Sequence, residues 1–332
     1  MLAVAVAGLV VVVAVSTLLG AANLGWTRVA REVWAQLTGG TSPLSVTEAA
    51  IVWQVRVPRV VLAGLVGAAL AVSGAAFQGV FRNPLADPYL LGAAAGAGMA
   101  ATIVVVAAPQ TTGWIVGPLP LAAFAGAIGG VSLTWALGRS AGGGTTVLLL
   151  AGVAVASFLT AVQTFAQQLN TDTIKQVYSW MLGGLNTSGW TEVLVTLPYI
   201  VLAATVLCLC GRLLDVLAVG DDEAASLGVN PGRVRVVVLL SASLATAAAV
   251  SVSGLIGFVG IVVPHVVRLL AGASYRVVVP LSLLGGAMFL IVADHIARTA
   301  FAPAELPIGV ITAFTGAPFF VLVLRMYRSR LR

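Results

Sequence analysis

The residues with the most pointed chemistry are few and widely spaced. Gly220-Asp221-Asp222-Glu223-Ala224-Ala225-Ser226-Leu227-Gly228 sets three carboxylates ahead of a glycine, with Pro231 just beyond. Leading acids and a trailing glycine are the start and stop signals of a two-turn helix. A helix that short needs a surface to pack on, so the segment reads as a docking element for another protein or as a solvated linker. Thr160, Gln163, Thr164 and Gln167 recur at i, i+3, i+4 and i+7, a polar stripe along one face of an otherwise apolar run. Such a face must meet water or another helix, which makes it either a pathway lining or an interhelical hydrogen-bonded seam. Asp294, His295 and Arg298 form the third group. Asp294 and Arg298 have the spacing of an i,i+4 ion pair, and a proton relay is the alternative.

Other chemistries lack their residues. Gly142-Gly143-Gly144-Thr145-Thr146 is glycine-rich but has no lysine, so it is not a phosphate-binding loop and no nucleotide chemistry is expected in this chain. His265 and His295 fall in different apolar runs, and Cys208 and Cys210, two apart, point in different directions on a helix. No metal site and no disulfide framework follows.

The elements carrying these residues are set by composition. Of 332 residues, 60% are apolar and only 8% charged, with 17 basic and 11 acidic side chains. Soluble domains carry about 25% charged residues, so a soluble enzyme, a disordered chain and a nucleic-acid binder are all excluded. Continuous apolar runs occupy about 2–22, 58–78, 89–108, 114–137, 146–168, 193–211, 235–251, 254–271, 277–297 and 307–325. Each suits a membrane-crossing helix rather than a barrel strand, because the runs do not alternate. The first lacks the basic lead and short core of a signal peptide and counts as a span. Ten spans with both ends inside put eleven positive residues, among them Arg82, Arg139, Arg233, Arg235 and the Arg325–Arg332 tail, on the cytoplasmic side. Arg28, Arg31, Arg56, Arg59, Lys175 and Arg298 fall outside. Merging 235–271 into one span would move the basic tail outside.

Three loops stand out. Within 24–55, Trp26, Val29, Val33, Trp34 and Leu37 share one helical face and Arg28, Arg31, Glu32 and Gln36 the other, as in an interfacial amphipathic helix. Residues 170–190 carry Trp180 and Trp190 as interface anchors. The loop at 212–235 holds the acidic helix. Ser73-Gly74, Pro84 and Gly92 recur as Ser253-Gly254, Pro264 and Gly272, hinting at an internal duplication.

These residues belong to a familiar pattern. Arg56-Val57-Pro58-Arg59, Ser73-Gly74, Gln78, Arg82-Asn83-Pro84-Leu85-Ala86-Asp87-Pro88, Gly220-Asp221 through Leu227-Gly228, Gly257-Phe258-Val259-Gly260 through Pro264-His265, Arg268, Asp294, Arg298, Glu305-Leu306-Pro307-Ile308-Gly309 and Gly316-Ala317-Pro318-Phe319 occur in order from about 50 to 325. The chain thus resembles the FecCD/BtuC-like permeases of type II ABC importers for iron-siderophores, haem and vitamin B12. The resemblance implies an all-α polytopic fold of ten transmembrane helices in a single permease domain, 1–332, with both termini cytoplasmic, in the bacterial inner membrane. It implies a second permease subunit, in a homodimer or a paralogue pair, two ABC ATPase subunits that bind ATP and Mg, and an extracytoplasmic substrate-binding protein. Arg56, Arg59 and Arg298 match arginines that receive acidic knobs of the binding protein. Asp221, Asp222, Glu223, Ala224, Ala225, Ser226, Leu227 and Gly228 match the coupling helix. Asn83, Leu85, Thr145 and Thr146 fall at the cytoplasmic gate, and Thr160, Gln163, Thr164 and Gln167 on the pathway-lining helix. Two departures stand out: the chain opens directly on apolar residues without a short basic leader, and the pathway helix is rich in glutamine. An ion-coupled secondary transporter, disfavoured by the near absence of charge within the spans, and a non-transport membrane scaffold are the rival readings, and the motifs count against both.

Overall fold

The computed structural model describes residues 1–20, 22–107, 117–185 and 189–330, and among them helices account for all regular structure. The elements in chain order are α1 (Leu2–Leu18), α2 (Trp26–Thr38), α3 (Val46–Ala50), α4 (Val57–Phe81), α5 (Ala93–Ala107), α6 (Pro118–Ser140), α7 (Thr145–Leu169), α8 (Ile174–Met181), α9 (Thr191–Leu209), α10 (Gly211–Val219), α11 (Asp221–Ser226), α12 (Pro231–Ser253), α13 (Val259–Ala271), α14 (Tyr275–Thr299) and α15 (Ile308–Arg330). A wide turn at Ile51–Arg56 joins α3 to α4. Among the described residues, six helices are long and apolar enough to cross a bilayer: the run Val46–Phe81, α6, α7, α9, α12 and α14. Every apolar run of the sequence holds a helix. Position 108, the start of the run at 114–137, and Arg332 lie outside the described residues.

The expected lengths need correction at two runs. The run 89–108 begins as a tight turn at Pro88–Leu91, and 254–271 becomes helical only at Val259. Gly92 and Phe258, both at positive φ, interrupt the helix at each place. Among the described residues that leaves 15 in α5 and 13 in α13, each fewer than the roughly 20 that cover the hydrocarbon alone. The loop 212–235 is also more ordered than expected, with α10 and α11 both inside it and α12 starting at Pro231.

Helix α4 is the centre of the bundle, almost wholly buried among α9, α12, α13 and α14. Lipid supplies no hydrophobic force between helices, so close backbone approach has to hold them. A Cβ on Gly67 would strike the Gly286 carbonyl of α14, and one on Gly286 would strike Gly67. The same reciprocal contact joins Gly96 of α5 to Gly126 of α6. Polar clasps add to this: Ser73 Oγ donates to the Ala242 carbonyl at 2.9 Å, and Gln78 Nε2 to that of Gly260 at 3.0 Å.

The duplication hinted at by the shifted motifs does not hold in that register. Ser73-Gly74 sits inside α4, whereas Ser253-Gly254 ends α12; Pro84 lies in a loop and Pro264 within α13. The elements repeat differently: α4–α7 and α12–α15 both run long, short, long, long. In each set the short helix packs on the third, and α4 packs on α14 as α12 does on α6.

The surface helix α2 corrects a face assignment. Trp26, Trp34 and Leu37 are exposed, as an interfacial helix requires, but Val29 packs against Leu44 and Val52. Glu32, expected on the polar face, is buried, where its carboxylate accepts from Trp53 Nε1 at 3.0 Å and from Ser42 Oγ. The chain at 42–53 folds back over α2, so that side faces protein rather than water.

Candidate functional site

The chemistry gathers at the two ends of α4. This helix has 25 residues, about 37 Å at 1.5 Å per residue, so groups at its ends lie on opposite sides of the bundle.

At the first end stand Arg56, Arg59, Asp294, Arg298 and Glu305. The structure brings the three expected arginines together but does not leave them facing outward. Arg56 and Arg298 are each only 5% exposed. Arg56 donates to the carbonyls of Thr17 and Ala22 between α1 and α2, and Arg298 to the carbonyl and hydroxyl of Ser16, the latter at 2.6 Å. Arg59 forks between two carboxylates, Asp294 Oδ1 and Glu305 Oε2, both at 2.9 Å. Asp294 also faces Arg298 across one helical turn at 3.3 Å. The external cluster is therefore largely internal wiring, with Glu305 as its exposed member. The cause is burial: so many cations beneath a short loop need oxygens, and α1, α14 and the loop after α14 supply them. Asp294 thus has the geometry of a structural ion pair shared by two guanidiniums.

At the second end, Arg82 takes a left-handed backbone conformation as the C-cap of α4. Its Nε donates to the Leu217 carbonyl of α10 at 2.7 Å, and its Nη2 to Asp221, the first residue of α11. Arg235 Nη2 of α12 donates to the same Asp221 oxygen at 2.6 Å. The Arg235 and Arg82 guanidiniums hold the Asp221 carboxyl below the usual carboxylate range. Ala224 is buried beneath α11, while Asp222, Glu223, Ala225, Ser226, Leu227 and Gly228 remain exposed, Leu227 at 68%. The short helix is thus clamped on one side and open on the other. Sequence reading missed the clamp, since Arg82 and Asp221 lie 139 positions apart. It also missed Asp215 of α10, which accepts from the Tyr275 amide at 2.6 Å and from Ser274 Oγ at 2.7 Å, capping α14 from outside that helix. A cap contributed from 59 or 60 positions away leaves no local signature.

The expected gate residues occupy two segments. Asn83 Oδ1 accepts from the Leu85 amide at 2.9 Å in the loop after α4, with both residues exposed. Thr145 and Thr146 open α7. The polar stripe of α7 splits. Thr160 and Thr164 face out of the subunit, and Gln167 is half-buried. Gln163 turns inward between Gly98 of α5 and Met181 of α8, its Nε2 lying 3.0 Å from the Met181 sulfur. Among the described residues no group of His, Cys, Asp and Glu forms a metal site.

Comparison with known proteins agrees with this arrangement. The FecCD transport family matches residues 8–326. The hemin transport system permease protein HmuU of Yersinia pestis is 37% identical over 336 residues, covering 97% of this chain and 96% of its own. The cobalamin import system permease protein BtuC of Halobacterium salinarum is 43% identical over 280 residues, covering 84% and 74%. A metal-chelate type ABC transporter solved in an inward-facing conformation superposes with a TM-score of 0.82 at 28% identity, covering 98% of both chains. The chain belongs to the FecCD transport family and is a multi-pass membrane permease of an ABC importer.

Proposed function

We propose that this permease forms half of a translocation pathway for a metal chelate, an iron-siderophore first and cobalamin or haem next, in the bacterial inner membrane. Support for the cargo class comes from relatives named for Fe(3+)-citrate, Fe(3+)-hydroxamate, hemin and cobalamin import. In this reading the six helices named above together with α1, α5, α13 and α15 make ten crossings, with both termini and α11 in the cytoplasm. The shorter α5 and α13 would cross with help from the turns that precede them.

The observation that carries the reading is the separation of two partner surfaces by the length of α4. The Arg59–Glu305 surface would meet an extracytoplasmic binding protein. The exposed side of α11 would enter a partner ATPase, which binds ATP and Mg. A second copy of the chain would face Thr160 and Thr164, closing a weakly selective pathway, with cargo selection left to the binding protein. ATP-driven closure of the ATPase pair would move the two α11 helices together; because Asp221 ties α11 to Arg82 and Arg235, that motion would reach α4 and α12 as rigid bodies. Asn83, Leu85, Thr145 and Thr146, at the same end, would form the inner gate. No bond of the cargo is made or broken.

Proteoliposomes containing the permease, its ATPase and its binding protein should take up a ferric siderophore only with ATP. Uptake that needs no ATP and collapses with an uncoupler would establish the ion-coupled alternative instead.

A further inference from the structure

A cavity of about 630 Å³ opens where the last turn of α6 meets the first turns of α7 and α12, beside the clamp that holds α11. Three arginines line it, Arg139, Arg233 and Arg235, and no carboxylate does. Among the described residues, the side chains of Arg139 and Arg233 have no hydrogen-bond or ion-pair partner. Arg235 gives one nitrogen to Asp221, and its buried Nε has no acceptor. Gly142, Gly143 and Gly144, all at positive φ, lead into α7, whose first-turn amides receive no side-chain cap. Those amides are free donors at the positive end of a helix dipole. Thr145 and Asn230 also line it, the Asn230 Oδ1 already accepting from the Arg233 amide, and Trp135, Leu148, Val236 and Val237 form an apolar wall.

Cations and free amides beside an apolar wall, at the ends of membrane-crossing helices, match an amphiphile with an anionic head. We infer that this cavity binds an anionic phospholipid, its phosphate between Arg139 and Arg233 and an acyl chain along Trp135 and Val237. The inference rests on α6, α7 and α12 lying in a membrane and not on the cargo; Thr145, placed above at the inner gate, also lines the cavity. A free phosphate would satisfy the arginines but leave the apolar wall empty.

The test uses the assembled transporter in detergent with equal amounts of phosphatidylglycerol and phosphatidylcholine, counting bound lipids by native mass spectrometry. Phosphatidylglycerol should be retained preferentially, and the Arg139→Gln/Arg233→Gln variant should lose roughly tenfold or more of that preference. Arg235 is left intact, so the α11 clamp stays, and an unchanged Tm without lipid checks the fold. Inorganic phosphate alone should leave the wild-type Tm unmoved. Equal retention of the two lipids, a preference kept by the variant, or a Tm shift produced by phosphate alone would each overturn the inference. A preference abolished by the partner ATPase would also overturn it, marking the cavity as protein interface. ATP-dependent uptake in parallel proteoliposomes reads the importer function separately.

Discussion

The Arg59 guanidinium meets the Glu305 carboxylate at 2.9 Å, so the least buried of the three arginines at this end of α4 is already partnered by an exposed acid of its own chain. An incoming acidic residue of a binding protein would have to displace Glu305 or bind beside it. Glu305→Gln should therefore tighten docking, by up to about fivefold if the exposed pair is worth up to about 1 kcal/mol. Surface-binding kinetics with the binding protein would measure it. Weaker docking in this variant would show instead that Glu305 orients Arg59 for its partner.

Charge reversal separates the three arginines. Arg59→Glu should weaken docking and also lower thermal stability, because the new carboxylate would face Asp294 and Glu305. Arg56→Glu and Arg298→Glu should chiefly lower thermal stability, because both side chains lie in the interior and would bring a carboxylate against carbonyl oxygens. Thermal unfolding of the detergent-solubilised variants distinguishes the two effects. Wild-type Tm values for Arg56→Glu and Arg298→Glu would refute the burial argument.

Asp294→Asn leaves the Arg59 and Arg298 guanidiniums facing a neutral amide. Breaking a buried pair in this way costs about 3–5 kcal/mol, so a marked fall in Tm is expected. If the variant is stabilised by added lipid, ATP-driven uptake should persist. A folded variant that hydrolyses ATP yet transports nothing would revive the proton-relay role.

Asp221 makes a pH prediction. Its folded-state pKa is depressed by Arg235 and Arg82, so the clamp contributes stability above the ordinary carboxylate pKa. That stability disappears as pH falls through the depressed value. Protection factors of the amides at 222–228, corrected for the intrinsic exchange rate at each pH, should fall on acidification below the ordinary range and be already low at neutral pH in Asp221→Asn. The pair is largely exposed, so the effect should be small, about 0–1 kcal/mol. The same variant should transport less cargo per ATP hydrolysed.

The split stripe of α7 predicts opposite phenotypes within one helix. Thr160→Val and Thr164→Val should leave stability within about 0.5 kcal/mol and change uptake rate. Gln163→Ala should lower Tm instead, because its amide fills the space between Gly98 and Met181. Uptake changed by Gln163→Ala at unchanged Tm would place that side chain in the pathway.

How much of this was legible in advance follows from the range of each interaction. Apolar runs located every long helix, because lipid demands an uninterrupted apolar stretch whose backbone satisfies itself. Acids at 221–223, Gly228 and Pro231 announced α11 through local capping chemistry, and Asp294 and Arg298 announced their pairing through helix periodicity. Which side of an element faces protein was beyond that reach. Arg59 finds Asp294 across 235 positions and Arg82 finds Asp221 across 139, and the folding back of 42–53 reverses the environment of Glu32. Only the crossing of α4 with α14 decided that Gly67 would meet Gly286. The sequence by itself determined the membrane, the helices and the chemical character of each end. The tertiary structure decided which charges are exposed and which serve as internal ties, because a buried guanidinium takes whatever oxygens the packed helices bring to it.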